Sequence, residues 1–225
     1  MRMLLEFCKG DTIRHLGLLD LQRTMQRALR RSGLPVAYSN GFNPHILMSF
    51  ASALSSGIPG DAELVDVTLS EDREAEECLA AMKRALPPVM QPSRVRLVDD
   101  RFPKLGRLLT HAGYRFTVSG PDGGRLVDGL EAFLNQTEIM AVRKSKSAET
   151  LVNIRPMVLR LEGRKTESGA VIDAIVSFTE AATLKPDLLF ATLVRETGMD
   201  AVPFKVRRTG LYTLQENRPV PLIEA

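Results

Sequence analysis

The sequence predicts an α+β protein, and three observations lead to that class. Over the first hundred residues, apolar alternation and 3.6-residue periodicity follow one another as strand, helix, strand, strand, helix, strand. Residues 101–110 then break the pattern with a polar, basic stretch containing Pro103 and Gly106, as a linker does. Beyond it, strand and helix patterns resume in a similar order with an extra strand. A β-α-β-β-α-β order favours the ferredoxin-like split β-α-β unit, with helices on one face of an antiparallel sheet. The expectation is two tandem ferredoxin-like (βαββαβ) subdomains, residues 1–100 and 111–225, whose antiparallel sheets face a cleft.

Each element has its own signal. Met1 to Lys9 alternates loosely as a strand and is broken by Gly10-Asp11. On a helical wheel of the next segment, Leu18, Leu21, Met25, Ala28, Leu29 and Ser32 share one side, and Arg23, Arg27, Arg30 and Arg31 gather opposite. Gly33 is a natural helix stop and Pro35 prevents continuation. Residues 36–38 begin a strand that two turn signals, Asn40-Gly41 and Asn43-Pro44, convert into a loop. Ile46 to Ala53 is extended again, and Glu63 to Leu69 alternates as a strand. Ser70 reads as the N-cap of a second helix with acidic residues in its first turn and Lys83 and Arg84 in its last, stopped by Pro87-Pro88. Ser93 to Val98 completes the first half. In the second half, strands are expected at 114–118, 139–146, 151–161, 171–178 and 202–214. A helix is expected around Leu126 to Leu134, and another from Pro186, which suits a first helical position, to a stop at Gly198.

Composition restricts the classes of function. The net charge of +3 with a pI near 9.0 permits a local basic surface without making the whole chain a polycation. Cys8 and Cys78 stand apart, form no C-x-x-C, and fit a reducing compartment. Two thiolates are too few for an iron–sulfur cluster, which takes about three or four, so no metal and no cofactor is predicted for this chain alone. The apolar run in MRMLLEFCKGD is too short for a signal-peptide core, and nowhere do about 18 apolar residues run together. The expectation is a cytoplasmic protein without a membrane segment. HExxH, a Walker loop, a nucleophile elbow and a paired-carboxylate signature are all missing from the sequence.

The chemistry-bearing residues concentrate in residues 13–50. Four arginines on one helical face have a single nearby carboxylate, Asp20, so positive charge is left over. Guanidinium groups bind phosphate oxygens bidentately and stack on bases. Tyr38 and Phe42 offer stacking surfaces, and Ser39, Asn40, Asn43 and His45 offer polar contacts to bases or ribose hydroxyls. Arg143, Lys144, Lys146 and Arg155 extend the basic character into the second half.

The run Ala28-Leu29-Arg30-Arg31-Ser32-Gly33-Leu34-Pro35-Val36-Ala37-Tyr38-Ser39, followed by Gly41-Phe42-Asn43-Pro44-His45 and Ser49-Phe50-Ala51, resembles the bacterial radical-SAM-linked domain family of unknown function. Further on, Val152-Asn153-Ile154-Arg155-Pro156 is similar to that family's Asp-Ile-Arg-Pro signature, with Asn153 in place of Asp, and Arg208-Thr209-Gly210-Leu211-Tyr212 resembles its closing strand. Such domains occur fused to, or encoded beside, radical S-adenosylmethionine proteins, so the resemblance implies a radical-SAM protein as partner. Two departures bear on function. Leu18 stands where the family has a histidine, and Ile46-Leu47 replaces its Pro-Lys, so polar groups are lost from the segment.

Three functions follow from these residues. The first is an RNA-binding accessory or substrate-recognition protein, for tRNA or rRNA, working with a radical-SAM enzyme. The second is a metal-independent ribonuclease of the duplicated ferredoxin-like type, for which His45, His15 and Tyr38 are the acid–base candidates. The third is a protein adaptor that binds no RNA. With polar residues replaced at positions 18, 46 and 47, the sequence favours a binding surface over an enzyme acting on its own. Oligomeric state leaves no mark in it.

Overall fold

In a computed structural model, which describes residues 1–144 and 149–225, the chain divides into two units. Residues 1–109 and 208–225 form the first, and residues 110–207 the second. The described residues make a mixed α+β structure with five α-helices and mostly antiparallel strand pairing. The division falls within the stretch that reads as a linker, but the last eighteen residues pack with the first unit, whereas the sequence assigned them to the second.

The first unit opens with β1 (Arg2–Lys9), α1 (Leu18–Ser32), β2 (Met48–Phe50), β3 (Gly60–Thr68), α2 (Ala75–Ala85), β4 (Pro92–Val98) and a one-turn α3 (Leu105–Leu108). β1 lies between β3 and β4, and β2 pairs with the far side of β3, every pairing antiparallel. Alternation sends Met3, Leu5 and Phe7 of β1 and Val65 and Val67 of β3 to one face. There they meet Leu21, Met25, Ala28 and Leu29 of α1 and Cys78, Ala81, Met82 and Ala85 of α2 in one core. Each such Leu contributes roughly 1.5–3 kcal/mol of burial. Leu18, placed on the apolar side by the wheel, is more than a third exposed, because the first turn of α1 overhangs the core.

Gly33 ends α1 at φ +75°, a left-handed conformation that suits glycine. α2 begins four residues later than Ser70 would place it, with Glu74 as N-cap. Ser70 is used elsewhere: its Oγ and its backbone N–H both donate to the Pro35 carbonyl. Arg73 meanwhile binds Glu71 and lies 3.8 Å from Glu77. Residues 36–38 form isolated bridges rather than a strand.

The second unit contains β5 (His111–Ser119), α4 (Asp122–Asn135), β6 (Met140–Lys144), β7 (Glu149–Asn153), β8 (Val158–Thr166), β9 (Gly169–Ser177) and α5 (Pro186–Glu196). β9 runs antiparallel between β5 and β8, and β6 and β7 make a separate two-stranded ribbon. The stretch 151–161, one strand by sequence pattern, is broken at Ile154 by the turn Arg155–Met157 into β7 and β8. Ala170, Ile172, Ala174 and Val176 of β9 alternate inward, and Phe116, Phe190 and Phe204 stack with centroids 4.0–5.8 Å apart.

Phe204 starts β10 (Phe204–Gln215), the strand on which the chain returns to the first unit; β11 (Arg218–Pro221) pairs with its end. β10 meets β3 in parallel at Arg208 opposite Gly60, and Gly60 is also the partner of Lys9 on β1. Three charged side chains are buried around this point: Lys9, Glu63 and Arg208. Arg208 donates Nε to Glu63 Oε1 at 2.8 Å and Nη2 to Oε2, and its Nη1 reaches the Ala53 carbonyl at 3.3 Å. Lys9 Nζ donates to the Arg14 and Leu16 carbonyls at 2.8 and 3.0 Å. Burial pushes the Lys9 ammonium below its ordinary pKa, against the attraction of Glu63. The Glu63 carboxyl occupies the space over Gly60, where a Cβ would lie 2.9 Å from Glu63 Cδ, so position 60 must lack a side chain. A second buried pair, Arg2 with Asp66, lies on β1 and β3, and Arg2 also donates to the carbonyls of Phe102 and Pro103.

Two expectations follow. Removing the Glu63 carboxylate breaks its buried two-point pair with Arg208, so Glu63→Ala lowers the unfolding free energy by about 3–5 kcal/mol; chemical denaturation of the folded variant reads the change. Gly60→Ala costs about 1–3 kcal/mol by overpacking the same point. In the second unit, His111 is buried with Nδ1 2.9 Å from Thr110 Oγ1, and burial lowers its pKa. The unfolded chain therefore takes up this proton first, and stability falls as pH drops below the ordinary histidine range of about 6.5. His111→Gln flattens that acid-side fall in melting temperature.

Candidate nucleic-acid interface

α1 sorts its arginines by use. Arg23 is exposed and lies 3.4 Å from Asp20, a screened surface pair. Arg27 is exposed and donates Nε to the Arg23 carbonyl at 3.3 Å. Arg30 is exposed, and its side chain makes no hydrogen bond or ion pair among the described residues. Arg31 instead donates Nη2 to the Ala85 carbonyl at 2.9 Å, fastening the end of α1 to the end of α2. Cations suit that place because the last carbonyls of a helix lack partners.

The segment after α1 folds into a narrow hairpin-like loop. Ala37 N–H donates to the Thr68 carbonyl, Leu47 N–H to the Ala37 carbonyl, and Ser39 N–H to the His45 carbonyl, each at 2.9 Å. A bridge of Tyr38 with Ile46 completes the base. The tip is clasped by its own side chains: Ser39 Oγ lies 2.8 Å from His45 Nδ1 and accepts the His45 backbone N–H at 3.1 Å. Asn40, Phe42 and Asn43 project beyond this clasp, and Phe42 is fully exposed. Tyr38 is 45% exposed, so one side of its ring remains open. Folding has left this apolar surface in water, although an aromatic ring is costly to hydrate.

The acid–base candidates do not converge by hydrogen bonding among the described residues. His45 is engaged with Ser39, His15 accepts the Arg14 Nε–H at its Nε2 at 3.1 Å, and Tyr38 bonds to neither. His15 lies in the turn between β1 and α1, where its carbonyl accepts from Ser56 Oγ.

In the second unit, Arg143 is partly buried and donates Nη2 to the Thr183 carbonyl at 2.9 Å, and Lys144 pairs with Glu149 at 2.9 Å. Lys146 lies outside the described residues. Arg155 is a brace: its Nε donates to the Leu134 carbonyl at the end of α4 and its Nη1 to the Val158 carbonyl. Asn153 Oδ1 accepts the backbone N–H groups of Ile139 and Arg155 at 3.0 and 3.1 Å. That role needs only an acceptor, so Asn153 serves as an aspartate would. Lys185, at the N-cap of α5, joins Arg143 and Lys144 around one cavity; as a lone lysine before Pro186 it carries no motif that would reveal it.

Among the described residues no three His, Cys, Asp or Glu side chains gather to hold a metal ion. No helix among them is long and apolar enough to cross a membrane.

The fold is thus a mixed α+β one whose cationic and aromatic groups sit on an exposed helix face, a clasped loop tip and a strand beside α5. The chain belongs to the family described as an uncharacterized protein conserved in bacteria (DUF2344), whose sequence profile matches residues 2–186. No curated protein matches it. Among solved structures it is similar to a chain in the crystal structure of a Cbf5-Nop10-Gar1 complex, at 11% identity and a TM-score of 0.52. That likeness covers 95% of this chain and 50% of the other, so this chain spans about half the length of the protein it matches. At such identity the likeness shows the fold alone.

Asn153 gives a test of the brace. Asn153→Ala strands two backbone N–H groups and costs about 1–3 kcal/mol, whereas Asn153→Asp keeps both acceptors and stays within about 1 kcal/mol of the parent in urea melts.

Proposed function

We propose that the protein binds RNA through its first unit, using Arg23, Arg27 and Arg30 on α1 for phosphates and Tyr38 and Phe42 for stacking. The observation that carries this is Phe42: a fully exposed ring at the tip of a loop whose conformation is fixed by the Ser39–His45 clasp. A solvated aromatic ring offers an open face to a base, and each such stack contributes roughly 1–3 kcal/mol. The α1 face supports the same reading, since among the described residues a carboxylate pairs with just one of its three outward arginines, Asp20 with Arg23. Ser39, Asn40, Asn43 and His45 supply polar edges for bases or ribose hydroxyls at the same tip. In this reading Arg31 and Arg155 hold the fold together.

The order β4-β1-β3-β2 in the first unit supports a split β-α-β, ferredoxin-like reading of that unit. The order β5-α4-β8-β9-α5-β10, with the β6–β7 ribbon inserted, supports reading the second as a repeat of it. The biological role we propose is that of a cytoplasmic accessory or recognition protein for a radical-SAM enzyme, which supplies the cluster chemistry. Binding is favoured over ribonuclease activity because His45 and His15 are each committed to a neighbouring side chain.

Fluorescence polarisation with cellular tRNA and rRNA fragments tests the reading. Arg23→Glu with Arg30→Glu lowers affinity at least tenfold and flattens its salt dependence, while stability moves by less than about 1 kcal/mol. Phe42→Ala weakens binding by about 1–3 kcal/mol with little change in salt slope. Unchanged affinity in a folded double variant overturns the reading. Stable co-purification of a radical-SAM protein with no RNA crosslinked in cells turns it into that of an adaptor.

A further inference from the structure

We propose that the cavity between β6 and the start of α5 binds a phosphate monoester carried on an organic body of nucleotide size. Its volume is about 500 Å³, within the range of small-molecule sites. Among the described residues, Arg143, Lys144 and Lys185 line it against one carboxylate, Asp187, and Val142 and Leu188 supply apolar wall. The charge balance selects the ligand class. Lys144 is shared with Glu149, so an excess of one to two positive charges faces the cavity. A phosphate monoester, at about −1.5 to −2 near pH 7, matches that excess better than a carboxylate at −1.

Preorganisation supports the same choice. The Thr183 carbonyl takes one amino group of Arg143, and Thr183 is itself fixed by its Oγ1 donating to the Thr179 carbonyl at 2.6 Å and by its bridge to Phe178. The guanidinium is thereby held at the cavity with other N–H groups left for a bidentate contact. The Lys185 side chain is exposed and makes no hydrogen bond or ion pair among the described residues. The apolar wall suits the ligand's organic part, which separates this site from a simple anion site.

Two sources share this chemistry: a free mononucleotide, or the phosphorylated end of an RNA chain. The second source alone rests on the RNA-binding reading. Isothermal titration of the full chain distinguishes them, using adenosine monophosphate, adenosine, inorganic phosphate, and a short oligoribonucleotide with a 5′-phosphate or a 5′-hydroxyl. At least one phosphorylated ligand is expected to bind ten or more times tighter than its dephosphorylated form, with inorganic phosphate at least tenfold weaker. Lys185→Glu should abolish that preference without lowering the melting temperature. If Lys185→Glu does not fold, Val142→Asp, which places a carboxylate on the half-exposed wall, should give the same loss. A preference for the monophosphate alone assigns a free nucleotide; a preference for the oligonucleotide alone assigns an RNA end. Equal binding of phosphorylated and dephosphorylated forms, inorganic phosphate as tight as the monophosphate, or a preference that survives in the folded variants overturns the proposal. The Arg23→Glu, Arg30→Glu protein keeps this preference while losing general RNA affinity, so failure here and failure of the RNA reading are seen separately.

Discussion

The Glu63 carboxylate, buried over Gly60 and bound by Arg208, is the point on which the first unit depends. Taking these charges out of water is costly, and an apolar substitute of the same shape would often be as stable. What the cluster provides is uniqueness. A carboxylate in that space demands a cation, and Arg208 on β10 answers it from 145 residues further along the chain. Lys9 extends the effect, since its ammonium holds the Arg14 and Leu16 carbonyls just ahead of α1. The helix that carries the outward arginines therefore leaves the sheet from a turn fixed by the same cluster.

Much of the first unit was legible because its signals are local. Leu21, Met25, Ala28 and Leu29 recur at helical spacing and are the residues α1 buries, and Gly33 stops the helix with the backbone angle glycine favours. Pro186 marked the start of α5 in the same way. Misjudged features were those decided at a distance. Ser70 looked like an N-cap until the Pro35 carbonyl, brought close by the fold, claimed its hydroxyl and its N–H. Residues 101–110 read as a polar linker, yet Leu105 and Leu109 are buried, and the Phe102 and Pro103 carbonyls receive Arg2. The return of residues 208–225 to the first unit brings Arg208 onto Glu63, a pairing for which no periodicity exists.

The interface shows a different limit. Sequence marks an arginine as a charge but not where its N–H groups go. Arg30 faces solvent, whereas Arg31, its neighbour, is spent on the last carbonyls of α2. Arg155 is likewise committed to the backbone of α4 and β8. Lys185 drew no attention as a single lysine, and its meaning comes from Arg143 and Lys144 beside the same cavity. The YSNGFNPH loop stands out by its turn residues, but the clasp of Ser39 on His45 is a matter of rotamers that spacing does not encode.

The divided first unit also bears on how the protein is made. Ribosomes deliver Glu63 well before Arg208, and the 98 residues of the second unit, Thr110–Arg207, must be synthesised in between. That interval, the 145 residues from Glu63 to Arg208, lasts roughly 7–29 s at about 5–20 residues per second. During it the nascent first unit holds an acidic side chain whose strongest counter-ion does not yet exist. Phe204 of the second unit's core and Arg208 of the first lie on the same late strand, β10, so the two units receive their completing residues almost together.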